Sequence, residues 1–142
     1  MIKFFQKKGE QRVISAIQET ECMTSGEVRV HVQEHCRGDI LKDAARVFKA
    51  LAMEKTEERN GVLIYIVPER HKFAVIGDKA INDKVSENYW DDVRDVMQKH
   101  FRNQDFTGGT VAAVQLVGKK LKEHFPFKEG DKNELPDDIS YG

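Results

Sequence analysis

Asn60–Asp83 reads NGVLIYIVPERHKFAVIGDKAIND. It holds two apolar runs, Val62–Val67 and Phe73–Ile76, separated by the polar turn Pro68-Glu69-Arg70-His71-Lys72. Both runs are rich in β-branched and aromatic residues and too short for helices, and Gly61 and Gly77 bound them. The spacing predicts two antiparallel strands. The first has no polar alternation, so it belongs inside a sheet covered on both faces. Directly after the second comes Gly77-Asp78-Lys79-Ala80-Ile81-Asn82-Asp83, a tight loop with three oxygen-bearing side chains.

Upstream, residues 3–24 carry an apolar stripe at Val13, Ile14 and Ile17, with Phe4 and Phe5 as an anchor before it. This predicts a first helix, firm from Glu10 because Gly9 weakens the opening turns. Gly26 suits a left-handed position at its end. Glu27–Glu34, EVRVHVQE, alternates strictly. Val28, Val30 and Val32 share one face, while Arg29, His31 and Gln33 share the other, as in a strand with one buried face, nearer an edge than the centre. Asp39 is a good N-cap for a helix running to about Arg59, with Leu41, Ala44, Ala45, Val47, Phe48, Leu51 and Ala52 at helical spacing. Strand, helix and strand in this order make two parallel strands joined by a crossover helix.

Downstream, Val85, Tyr89, Val93, Met97 and Phe101 step by four, which predicts one helix over residues 83–102. Val111, Val114, Val117, Leu121 and Phe125 predict another over 107–124, with Asp105 or Thr107 as its cap. Residues 126–142 are polar, hold Gly and Pro, and lack periodicity; they read as a flexible C-terminal tail after a single domain of residues 1–125. The sum is an α/β/α sandwich: a mixed sheet of three to four strands, the first and second parallel and the third antiparallel, with four main helices.

Composition excludes several function classes. The 142 residues support one domain. The net charge of -1, with 33% charged residues of both signs, offers no basic excess for a nucleic-acid backbone. No run approaches the roughly 20 apolar residues that span a bilayer, and the first residues lack a secretory apolar core. The expected setting is cytoplasmic, with Cys22 and Cys36 as free thiols and an unidentified protein as partner.

Strand directions place the polar residues. The third strand ends at the edge where the first two begin, so Asp78, Asn82 and Asp83 approach Ser25, Gly26, Glu27 and Asn60. Asp78, Asn82, Asp83 and Glu27 are all oxygen donors and suit a hard cation such as calcium, which takes 6–8 oxygens in flexible geometry. The same residues also suit plain helix caps and a solvated strand end. The opposite edge collects His35, Cys36 and His71, donors for a softer metal but without a paired ligand motif. Gly108-Gly109 lacks the Lys and Ser/Thr of a phosphate loop, and Cys22 lacks a basic cluster to activate it.

Four segments together resemble the TPM domain family, known from a plant thylakoid lumen protein, photosystem II repair factors and bacterial proteins. They are Thr24-Ser25-Gly26-Glu27-Val28-Arg29-Val30, Gly61-Val62-Leu63-Ile64-Tyr65, Arg70-His71-Lys72-Phe73-Ala74-Val75-Ile76-Gly77 and His100-Phe101-Arg102-Asn103-Gln104-Asp105-Phe106-Thr107-Gly108-Gly109. The resemblance spans about residues 10–125. It implies an α/β/α sandwich and binding of calcium or another divalent cation. For the plant branch it also implies an acid phosphatase activity on phosphomonoesters, the alternative to an accessory or protein-interaction role. It matches Asp83, beside Asp78, to a family aspartate, and Gly109 to the glycine that opens the last helix. Many relatives carry a signal sequence and a membrane anchor; neither is read in this sequence.

Overall fold

The computed structural model describes residues 5–128, 130 and 134–142. The elements are α1 (Lys7–Glu21), β1 (Glu27–Val32), α2 (Ile40–Ala50), β2 (Gly61–Val67), β3 (Lys72–Gly77), α3 (Lys79–Asn82), α4 (Asp91–Arg102), α5 (Phe106–His124) and β4 (Ser140–Tyr141). The sheet order is β3-β2-β1-β4. β1 and β2 run parallel from Glu27↔Gly61 to Val32↔Ile66. β3 returns antiparallel, Val62↔Gly77 to Val67↔Lys72. β4 joins β1 in parallel at His31 and Val32.

The unbroken apolar run of β2 has the expected cause. All seven of its residues are buried, and alternate side chains enter two cores. Val62, Ile64 and Ile66 pack with Val28, Val30 and Val32 against α1, α4 and α5. Leu63, Tyr65 and Val67 pack with Ala44, Val47, Met53 and Leu135 on the α2 side. Full burial of one such aliphatic side chain contributes about 1.5–3 kcal/mol, an upper bound against an extended unfolded chain, so the two-sided β2 anchors both layers.

Four differences from the sequence reading have physical reasons. β1 is interior, and all six of its residues are buried: Glu27, Arg29 and His31, placed on the open face by alternation, lie at 4%, 7% and 4% exposure. The cover comes from the C-terminal segment, where Leu135 and Ile139 are buried and Ser140–Tyr141 supplies the fourth strand. That strand falls in the stretch whose composition reads as a tail. α2 stops at Ala50 because Ala52 turns left-handed (φ 56) and drops Met53 into the core. The helix expected from residue 83 is interrupted. α3 ends at Asn82, backbone turns close at Tyr89 N to Ser86 O (3.1 Å) and Asp91 N to Asn88 O (3.1 Å), and α4 begins at Asp91. Val85 and Tyr89 still reach the core, so their spacing survives a break in the backbone.

Gly26 serves close approach instead of a left-handed turn. Among the described residues Gly130 is the glycine with positive φ, while a side chain at Gly26 would meet Leu121 Cδ1 at 2.7 Å. Asp39 and Asp105 cap α2 and α5 as expected, accepting from Leu41 N (2.8 Å) and Gly108 N (3.0 Å). Phe5 is buried; Phe4, the other half of the expected anchor, lies outside the described residues. Among those residues no helix is long and apolar enough to cross a membrane.

Candidate functional site

The amino edge of the parallel strands is built around Asp78. β3 ends at Gly77, and the Asp78 amide makes one more sheet bond, to Gly61 O at 2.8 Å. Its extended backbone (φ -74, ψ 175) turns the carboxylate onto Lys79 N at 2.7 Å, starting α3. Arg59, held left-handed (φ 52) just before β2, brings Nε to Asp78 Oδ2 at 2.8 Å and Nη2 to Oδ1 at 2.9 Å. The Asp78 side chain is 5% exposed and that of Arg59 is 45% exposed. The bond to Asp78 raises the guanidinium pKa further above its ordinary range.

The other expected residues divide. Asn82 Nδ2 donates to Gly77 O at 3.0 Å, and Asp83 closes the turn through its amide to Lys79 O at 2.9 Å while its side chain is exposed. Asp78, Asn82 and Asp83 thus share one helical turn. Glu27 stands at the same sheet edge, beside Gly61 in the register, but its Oε1 accepts Glu134 N at 2.6 Å. Asn60 links the loops, its Nδ2 3.4 Å from Ser25 Oγ and from Glu58 Oε2. The Ser25 hydroxyl, then the Lys128 ammonium, hold the Glu58 carboxyl below its ordinary range against the opposing pull of burial. Among the described residues, the Thr56 hydroxyl and Glu54 Oε2, in the chain leading to Arg59, are buried without a hydrogen-bond partner. Among the described residues no three His, Cys, Asp or Glu side chains converge as metal ligands.

At the carboxyl edge, His35 and Cys36 are engaged separately. His35 Nδ1 lies 2.6 Å from Glu69 Oε2. Arg70 Nη1 donates to Cys36 O at 3.1 Å. His71 is exposed, at the left-handed end of the hairpin turn. Cys22 and Cys36 are free thiols.

Between α2 and the sheet lies a polar cluster that alternation hides: His31, Asp43, Arg46 and Tyr65. The fully buried Tyr65 donates its hydroxyl to Asp43, and Arg46 Nε donates to the same carboxylate at 2.8 Å. His31 stacks on Tyr65 at 5.8 Å between centroids. Its Nε2 lies 2.8 Å from Gln33 Oε1, an acceptor, so that nitrogen carries the proton, and Nδ1 accepts from Ser140 Oγ at 2.9 Å. Burial, then the bond to Asp43, pushes the Tyr65 phenol far up. Burial lowers the His31 pKa, and the Arg46 bond lowers that of Asp43. A neutral phenol and a neutral imidazole in closed bonds make this a structural network fastening α2 and β4 to the sheet. The signal for it was Asp43 and Arg46 on the α2 face toward Tyr65, and it needs the three-dimensional pairing to be seen.

The sequence profile described as the TPM domain matches residues 2–120. Among solved structures, the BA42 protein of the psychrophilic bacterium Bizionia argentinensis is 39% identical, with a TM-score of 0.94 over 100% of this chain and 98% of that one. The N-terminal domain of the cg2496 protein of Corynebacterium glutamicum is 14% identical, with a TM-score of 0.65 over 81% of this chain and 72% of that one. The N-terminal domain of a protein from P. gingivalis is also 14% identical, with a TM-score of 0.68 over 86% and 79%. These last two are likenesses of fold alone. No curated protein matches the sequence.

Proposed function

The chain belongs to the TPM domain family, and from that premise we propose that it is a divalent-cation-binding accessory domain, with calcium the first candidate, acting through a protein partner. The observation that carries this reading is Asp78. Its carboxylate is almost fully buried yet already neutralised by a cation, the guanidinium of Arg59, whose side chain is about half exposed. A buried carboxylate must stay paired or hold a metal, so an ion that displaces Arg59 keeps Asp78 compensated and returns the guanidinium to water.

The donor chemistry fits. Asp78, Asn82 and Asp83 offer hard oxygens from one turn, as calcium takes; Asn82 commits its amide nitrogen to Gly77 O, which leaves its oxygen as the ligand atom. These three would hold the ion, with Glu27 at the same edge. The ion would supply positive charge to a loop that a partner's acidic group can dock on.

The test is an amide chemical-shift titration, after EDTA, with calcium, magnesium, manganese and zinc, read together with thermal unfolding. Calcium is expected to move the amides of residues 78–83 and to stabilise the fold by about 2.7 kcal/mol at a hundredfold excess over Kd. Asp78→Asn with Asp83→Asn is expected to lose both effects, and Arg59→Gln to bind more tightly because the competing guanidinium is gone. An ion response that survives the double substitution, or the absence of any response to calcium, would sink the proposal.

A further inference from the structure

The carboxyl edge of the sheet holds a cavity of about 450 Å³, lined by residues of the β2–β3 hairpin, the end of α4 and the start of α5. That size lies in the range of small-molecule sites. Its walls are apolar: Ile66, Val67, Pro68, Phe73, Phe101 and Phe106. The three rings brace one another edge-on, Phe73 to Phe101 at 5.5 Å and Phe101 to Phe106 at 5.6 Å. Such contacts favour a fixed wall over a collapsible one.

The polar lining has one sign. It consists of His71, Lys72, Gln98 and Arg102, with no carboxylate. In a chain of net charge -1, a rim with two cations, Lys72 and Arg102, and no carboxylate around an apolar hollow is not an average surface. Among the described residues, neither Lys72 nor Arg102 has an ion-pair partner. Asp105, the acid next to this corner, is occupied in capping α5 through Gly108 N, so it also removes the helix end from the anion's donors. The position is the carboxyl end of a parallel strand pair, where open α/β sheets present ligand crevices.

We propose that this cavity binds a small amphipathic carboxylate: an acyl or aryl chain against Phe73, Phe101 and Phe106, and one anionic head at Lys72 and Arg102. A bare phosphate would leave the apolar walls unfilled, and a neutral alcohol would leave two cations uncompensated. The site lies at the opposite sheet edge from Asp78, so its failure and that of the cation proposal are independent.

The test is titration of the full chain with octanoate, octanol, octylamine and inorganic phosphate, followed by amide shifts and calorimetry. Octanoate is expected to saturate and to move the amides of Ile66, Val67, Phe73, Phe101 and Phe106, with octylamine silent and phosphate far weaker. Lys72→Gln with Arg102→Gln, both on exposed side chains, is expected to weaken octanoate about tenfold through lost charge-assisted bonds and to leave octanol unchanged. Gln98→Trp, also at an exposed position, should fill the mouth and block both. The proposal is overturned by octanoate that does not saturate, by octanol or phosphate binding as tightly as octanoate, or by unchanged octanoate affinity in the double variant.

Discussion

Gly109→Ala sets helix propensity against packing, and the close α4–α5 contact decides which wins. Gly109 sits in the first turns of α5, buried against α4. A methyl carbon there would lie 2.8 Å from His100 Cβ and 2.8 and 2.9 Å from Phe101 Cε1 and Cδ1. Comfortable carbon contacts are about 3.5–4.0 Å, so the two helices must part by roughly 0.7–1 Å, or the Phe101 ring must turn. Alanine gains about 0.8–1 kcal/mol of helix propensity over glycine. Overpacking costs about 1–3 kcal/mol, because the obstacles are a ring and a Cβ rather than the end of a flexible chain. The net is a loss of about 1 kcal/mol, with about 2 as the upper end. At about 2.1 cal/mol/K per residue, a chain of 142 residues loses about 3 °C in Tm for each kcal/mol. Urea unfolding should show a lower midpoint with the slope m unchanged. Ala112→Gly in the same helix provides the propensity scale free of the clash. Since Phe101 also walls the carboxyl-edge cavity, octanoate should weaken together with stability. A Gly109→Ala protein as stable as the wild type, or more so, would show that the α4–α5 crossing is not limited by this glycine.

Three further substitutions probe the segments that the structure ties together. Burial lowers the His31 pKa, so the unfolded state binds the proton more readily; stability is complete above about pH 6.5 and falls as pH drops from there toward the lowered native value. Urea midpoints at pH 7.5 and 5.5 should therefore differ less in His31→Gln than in the wild type, and an equal slope in both would assign the titration to another group. Ile139→Ala should cost about 2 kcal/mol, the low end for a buried isoleucine near the surface, because its side chain is 7% exposed in the larger core. Phe127→Ala, at 47% exposure, should stay within about 0.5 kcal/mol; equal small effects would show that residues 134–142 do not pack in solution.

What was legible in the sequence was whatever a short window determines. The run Val62–Val67 is apolar on both faces because both faces are covered, and no partner needs to be known to see it. Asp39 and Asp105 announce helix starts because their bonds reach only two or three residues ahead. The misreadings share the opposite cause. Tyr89 keeps the four-residue step to Val93 although the backbone turns between α3 and α4, so periodicity recorded the core and not the helix. β4 makes two paired residues with a strand more than a hundred positions earlier, too little local pattern to register. Arg29 and His31 alternate with valines as exposed residues would, yet they are buried, with Asp138 beside one at 3.5 Å and Ser140 beside the other at 2.9 Å.

The same division governs the site. That Asp78 would cap a turn was readable from its own neighbours; that it would be neutralised was not, since the neutralising group comes from a left-handed residue 19 positions earlier in the chain. The sheet then separates two chemistries. At the amino edge stand Glu27, Asp78 and Asp83, with Arg59 as the cation that closes the set. At the carboxyl edge an apolar cavity is rimmed by His71, Lys72 and Arg102. The strands between them are six to seven residues long, and β2 is buried and uncharged throughout; at about 3.3 Å per residue they span roughly 20 Å, beyond about two screening lengths at physiological salt. A divalent cation at one end and a carboxylate at the other should therefore bind without sensing each other. Calcium should leave the octanoate affinity unchanged and octanoate should leave that of calcium unchanged, since coupling is reciprocal. A coupling of more than about twofold in either titration would mean that the hairpin moves as a lever between the two edges, and the rigid two-sided core described for β2 could not be its resting mechanics.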